Sequence, residues 1–418
     1  MKFSQTGRII RAAALSLAVG LGMTACSSDY TLDYLYVITS KASAGSPNGG
    51  ISAYKVDNQS GTLLQMPDSP YDSGGINPVA IALAPNGKAL YVINNGGNRA
   101  IVEFLIGTDG KIYPQNSYDL GPTSTSGSLA TGAVIDATNQ YLLVSFTYQH
   151  GFSSTTPGPG GVAVFAINAD NSLNSTPIAN GALPYFATGN NPVSIGISPC
   201  TLNPPDPGAC KNSSYVPYVY VVEQDPAAPR VRSFQLSLTT GKLTQVGLVQ
   251  AGVTPRAIAE DPTSRFVYVT DSTSNQLIGY IVQSNGSLNP MVNGPFSTGL
   301  YPEGITIDPR GQYIYVTNYN ASTVSGYAIN AANGTPTGVF SNGVSTTGTG
   351  PNCVTVEPSQ GVYLYTSNFI DNTVSGMQLD PHTGALSNIQ NTPFNAGGNP
   401  TCAVAVQAGS HSFQALQP

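Results

Sequence analysis

Charge is scarce in this chain. Only 9% of its 418 residues are Asp, Glu, Lys or Arg, against about 25% in ordinary soluble domains. Polarity comes instead from Ser, Thr, Asn, Gln and Gly, which suits a turn-rich β protein better than a helical one. There is no basic run, and the net charge is −6, which argues against nucleic acid as a partner. The only histidines are His150, His382 and His411, and no Cys-x-x-Cys pair occurs, so zinc is not expected. Asp261, Asp271 and Asp308 lack the spacing of a calcium loop. No metal or cofactor is expected. The apolar run Ala12–Met23 has 12 residues, too few to span a bilayer comfortably.

That run follows Lys2, Arg8 and Arg11 and leads to Met23-Thr24-Ala25-Cys26. A basic start, a short apolar stretch and small residues before a cysteine resemble a bacterial lipoprotein signal. The resemblance implies cleavage of residues 1–25, a lipid on Cys26, and a membrane-anchored monomer of the cell envelope. The other reading is an ordinary secretory signal cut near Ala25. The remaining 393 residues carry 12 basic and 21 acidic groups, a net −9. Four further cysteines, Cys200, Cys210, Cys353 and Cys402, favour disulfides in an exported chain.

A phrase recurs: a Pro-led apolar strand, a turn, then Tyr-Val. Its marker positions are Tyr36, Tyr91, Leu143, Tyr220, Tyr268, Tyr315 and Tyr365, spaced by 55, 52, 77, 48, 47 and 50 residues. The long gap holds an insertion at 199–216. A third strand, a Gly-bearing turn such as Thr383-Gly384, and a less regular fourth strand follow. A period near 50 means units that cannot bury their apolar faces alone. Four strands per unit fit a propeller blade. The first unit starts at its second strand, Leu35–Ile38, and the chain finishes on an isolated first strand, 399–406. A closed ring would use that strand to complete blade one and remove free edges. The expected fold is all-β: a seven-bladed β-propeller over 35–407, with a lipidated tether at 26–34 and a tail at 408–418.

The segment Gly311-Gln312-Tyr313-Ile314-Tyr315-Val316-Thr317-Asn318 resembles the YVTN repeat of bacterial propellers. With the Asp380-Pro381-His382-Thr383-Gly384 turn, the longer pattern resembles the lactonase family named for 6-phosphogluconolactonase, over about 33–407. The resemblance implies lactone hydrolysis at the channel mouth. Family enzymes often read Pro-Arg-His on the inner strand. Here Arg256 matches the Arg slot, but the His slots hold Ala80, Ser194, Ala257, Gly304, Cys353 and Cys402. The family's Asn-Glu after Tyr-Val-Val is a shifted Glu223-Gln224.

Loops and strand ends of one face ring the mouth of a propeller channel. That places Arg256, Glu303 and Asn352 at strand starts, and Asn94, Glu223, Asp271, Asn318 and Asn368 at strand ends, in the default ligand site. Arg256 with Glu223 or Glu303 are the catalytic candidates. Strand-end Asn and Asp also cap turns without any ligand. His150 lies in a long loop on that face, where a lone histidine is ordinarily solvated. Two functions stay open: a binding or scaffold module taking a protein or glycan on the loop face, and a lactone hydrolase.

Cys200 and Cys210 bracket the insertion and are expected to bridge. Cys353 and Cys402 share one repeat position on neighbouring inner strands, where a bridge would fasten the ring closure. Equivalent positions point the same way around the ring, however, so these two need not face each other. The tether Ser27–Tyr34 has 8 residues and reaches at most about 28 Å. It leaves from the face opposite the site.

Overall fold

The computed structural model describes residues 30–41, 46–96, 100–120, 129–201, 207–340 and 344–409. Cys26 and the residues before it lie outside them. Seven antiparallel sheets are present, each with four strands in succession. The inner strands are Ile76–Leu83, Ala130–Ile135, Pro192–Ile197, Pro255–Glu260, Pro302–Ile307, Pro351–Val356 and, for blade 1, Pro400–Gln407. In blades 1, 5, 6 and 7 the outermost strand is broken into two short pieces that pair with the same third strand. Seven apolar cores occur, and each draws residues from two adjacent blades. An open stack of seven units would have six such interfaces, so the seventh, between blades 7 and 1, marks a closed ring.

Closure is by strand exchange between the two ends of the chain. Pro400–Gln407 pairs with Thr31–Thr39 through Tyr34↔Val406, Tyr36↔Val404 and Ile38↔Cys402. The first strand starts at Thr31, earlier than the Leu35 expected from the repeat. Residues 31–34 therefore belong to blade 1 and not to a tether. The physical cause is available pairing and burial: Asp33 faces Gln407, and Leu32 and Tyr34 are buried.

The repeated tyrosine locks one blade to the next. The hydroxyls of Tyr36, Tyr91, Tyr268, Tyr315 and Tyr365 donate to the carbonyls of Gly110, Asn171, Gly334, Gly384 and Gly61, each in the hairpin turn of the following blade, at 2.6–2.8 Å. The residue two places earlier packs on the same turn. Tyr34, Tyr141, Tyr218, Phe266, Tyr313 and Tyr363 lie against Gly110, Gly241, Gly286, Gly334, Gly384 and Gly61, all with positive φ. A Cβ there would stand within 2.7 Å of the ring. Blade 3 breaks the rule on both sides at once: its turn carries Asn171, which has a Cβ, and the facing position is Ala89.

The insertion in blade 4 contains a short helix, Pro207–Lys211, and the Cys200–Cys210 bridge, with Cα atoms 6.1 Å apart. Cys353 and Cys402 are also bridged, with Cα atoms 5.1 Å apart. The inner strands converge so closely at this level that a Cβ on Gly304 would lie 2.9 Å from the Cα of Cys353. Equivalent side chains here meet across the narrowing gap. This bond fastens the last strand to blade 7. The ring itself is joined by the backbone ladder to Thr31–Thr39.

Candidate functional site

Every inner strand has a register shift close to its mouth end. In blade 6 pairing passes from Pro302↔Asn318 to Ile305↔Val316, so Glu303 and Gly304 bulge out of the ladder. Proline opens most of these strands and has no N–H to lose. The N–H groups freed by the bulge are recovered by side chains: Gly304 N donates to Thr317 Oγ1 at 2.8 Å, and Ala257 N to Thr270 Oγ1 at 3.0 Å. A bulge re-aims the side chains it carries, here into the axis of the ring.

The axis holds a cavity of about 360 Å³, lined by the two or three residues of each inner strand that follow its opening Pro or, in blade 3, Ala130. The third residues are small: Ala80, Gly132, Ser194, Ala257, Gly304, Cys353 and Cys402. The family's histidine slots therefore do face the channel, and their small occupants leave it open. At the second position blades 2 and 4 supply Val79 and Val193, whereas blades 5, 6, 7 and 1 supply Arg256, Glu303, Asn352 and Thr401. Blade 3, between those two, supplies Thr131, so the charged groups gather on one side of the mouth and the opposite side carries two valines flanking a threonine.

Arg256 is oriented by Tyr301. Its Nη2 donates to the Tyr301 hydroxyl, its Nε reaches Ser272 Oγ at 3.4 Å, and its guanidinium carbon lies 5.3 Å from the Tyr301 ring centre. It forms no ion pair within 4 Å with a described carboxylate. Burial raises the Glu303 carboxyl above its ordinary value, and the charge of Arg256 opposes that rise. Asn352 Oδ1 is buried without a hydrogen-bond partner among the described residues. A cation, a carboxyl group and a free amide oxygen thus share one cavity.

The strand-end candidates do not line it. Glu223 is buried and paired with Arg232 at 2.6 Å, and accepts from Gly189 N at 2.8 Å. Asp271 accepts from Val253 N at 2.8 Å and Thr254 N at 2.9 Å. Asn318 Nδ2 donates to Thr323 and Ser325, and Asn368 Nδ2 to Thr373 and Ser375, at 2.9–3.0 Å. These residues turn into their own blades and tie down loops. His150 is exposed and lines neither the channel nor the cavity beside it.

Sequence reasoning missed Tyr301, Tyr319 and Phe369, which wall a second cavity next to Glu303 and Asn352. A signal was present at Tyr301. The residue before the inner-strand proline is Asn77, Asn191, Gly350 or Asn399 in four blades, all at positive φ. Tyr301 occupies the same left-handed slot at φ 58°, where a bulky side chain is a rarity that marks a site under constraint. Tyr301 N donating to Asn275 Oδ1 at 2.7 Å and Tyr319 N donating to Tyr301 O at 2.9 Å hold it there.

The profile of the family described as "Lactonase, 7-bladed beta-propeller" matches residues 34–182 and 218–405. No curated protein matches. Among solved structures the chain is similar to the periplasmic gluconolactonase PpgL of Pseudomonas aeruginosa, at 18% identity and TM-score 0.65 over 91% of this chain and 100% of that one. It is similar also to a protein from Lactobacillus plantarum, at 17% identity and TM-score 0.66 over 90% and 100%. At such identities these likenesses speak to the fold. The family match spans both halves of the ring and leaves out, between them, only residues 183–217, which hold the last strand of blade 3 and the inner strand and insertion of blade 4, and on that ground the chain belongs to the lactonase family of seven-bladed β-propellers.

Proposed function

We propose that this protein is a lipid-anchored envelope propeller that binds a small lactone at its channel mouth and opens it with water. One observation carries the reading: Arg256 and Glu303 stand on neighbouring inner strands, in one cavity, without neutralising each other in an ion pair. The lactone carbonyl oxygen meets the Arg256 guanidinium, which stabilises the oxyanion as it forms. Glu303, as carboxylate, takes a proton from a water molecule that attacks the carbonyl carbon. Its raised pKa makes it a stronger base than an exposed glutamate. The C–O bond to the ring oxygen then breaks, and Glu303 returns the proton to the departing alkoxide. Asn352 Oδ1 accepts from a ligand hydroxyl. The product is a hydroxy acid.

Hydrolysis of glucono-δ-lactone or of an alkyl-substituted δ-lactone above the buffer rate tests this. Arg256→Ala and Glu303→Gln are each expected to lower kcat/KM about 100-fold or more. The wild-type rate should rise with pH through the raised pKa of Glu303, because only the ionised form is a base. A wild-type rate equal to buffer, or full activity in Glu303→Gln, would sink the hydrolase reading. A binding module remains the second reading, favoured by the absence of histidine from the described channel wall. Calorimetric binding of gluconate without lactone turnover would select it. The lipid anchor rests on the sequence around Cys26, and the two disulfides suit an exported protein. Cys26→Ser should move the protein from the membrane to the soluble fraction of cells.

A further inference from the structure

Beside the channel mouth, between blades 6 and 7, lies a cavity of about 420 Å³ lined by Tyr301, Glu303, Tyr319, Asn320, Asn352 and Phe369. It shares Glu303 and Asn352 with the channel, so the two volumes form one site with a polar head and an aromatic side arm.

The aromatics are departures from the repeat. After the strand-end residue, blades 2, 4 and 5 carry Asn95, Gln224 and Ser272, whereas blades 6 and 7 carry Tyr319 and Phe369. Before the inner-strand proline, blades 1, 2, 4, 5 and 7 carry Asn399, Asn77, Asn191, Thr254 and Gly350 where blade 6 has Tyr301; blade 3, which lacks the proline, has Leu129. Blade packing does not ask for these three rings, since the remaining blades pack without them. All three converge on one cavity. The Tyr301 and Tyr319 rings stand 6.1 Å apart at 56°, an open cleft. The apolar surface continues outward through Leu300 and Ile370, 57% and 52% exposed. Ile370 and Tyr319 both close over Gly350, which makes the patch continuous with the cavity.

We propose that this arm is a subsite for an apolar substituent, and that the ligand is an alkyl- or acyl-bearing lactone with its ring between Arg256, Glu303 and Asn352. A fully hydroxylated sugar ring would need polar partners along the arm. Apart from Asn320 at its exposed edge, the arm's own polar groups are two phenol hydroxyls, and that of Tyr301 already accepts from Arg256; a ring with several hydroxyls would leave some unpaired, and unpaired hydroxyls are costly to bury. This inference rests on the channel mouth being the ligand site and is independent of turnover.

The test uses 2-alkylcyclopentanones, which keep a ring carbonyl but cannot be opened by water. Binding of the methyl, butyl and octyl members to the soluble wild-type domain is measured by calorimetry. Each buried methylene is expected to tighten binding about two- to fourfold, fourfold corresponding to roughly 0.8 kcal/mol. Tyr319→Ala and Phe369→Ala should flatten that dependence, costing the octyl compound more affinity than the methyl compound, with melting temperatures confirming the fold. No chain-length dependence, no binding by any member, or an equal slope in the variants overturns the proposal. So does gluconate binding that needs Tyr319 alongside a flat alkyl series, which would make the arm a sugar platform. A steep slope without lactone hydrolysis leaves this subsite standing and removes the hydrolase reading. Gluconolactone turnover with a flat slope does the reverse.

Discussion

Glu260 stands at the inner end of the blade 5 strand, where other blades carry Leu83, Ile135, Ile197, Ile307 and Val356. Its Oε1 is buried without a partner among the described residues, 1.7 Å from where a Cβ on Gly196 would lie, so any larger residue at 196 would force this carboxyl to move. Burial pushes this carboxyl up to about 8. In the unfolded chain it ionises near about 4.3. The neutral form therefore contributes stability fully below that value, and the contribution is lost as pH rises toward about 8. Thermal melts between pH 5 and 9 should fall by a few degrees in wild type and stay flatter in Glu260→Gln; parallel profiles would refute it. The same scale shows where the sequence stopped being readable as chemistry. Arg256, Glu303 and Asn352 follow the strand-opening proline, and alignment of the copies sufficed to bring them together. Glu223, Asp271, Asn318 and Asn368 look equally polar and equally close to the mouth. Whether such a residue faces the channel or its own loop depends on partners such as Arg232 and Ser325, which no single copy of the phrase contains.

Blades are held to one another by a polar bond set among apolar contacts. Removing the hydroxyl in Tyr315→Phe orphans the buried Gly384 carbonyl and should cost about 1 kcal/mol in denaturant unfolding. Tyr220 is the informative contrast. Its hydroxyl has no partner among the described residues, and the facing turn is bonded instead by Tyr218, which donates to Ser284 O at 3.1 Å. Tyr220→Phe should be neutral or slightly stabilising, and a loss equal to that of Tyr315→Phe would contradict this account. Strand number and blade order were legible because seven imperfect copies average out local ambiguity. The start of the first strand was not. The repeat marks where Tyr-Val begins, whereas the length of the ladder depends on a partner strand far away in sequence, 407 − 33 = 374 residues in the pairing of Asp33 with Gln407.

Across the whole molecule, the two disulfides serve local roles. Cys200–Cys210 closes an insertion with a sequence separation of 10, and Cys353–Cys402 spans 49, joining the last strand only to the blade before it. Neither links the first strand to anything. Thr31–Thr39 is held on one side by Gly50–Asp57 and on the other by Pro400–Gln407, by hydrogen bonds and apolar packing with no covalent cross-link. The consequence is mechanical. A pull delivered through the residues ahead of Thr31, along the strand, does not peel bonds one at a time. It loads two ladders together in shear, so the ring resists tension with its longest run of paired backbone. If that strand does slip, the final strand stays stapled to blade 7 by Cys353–Cys402, in place to receive the first strand again when the tension is released.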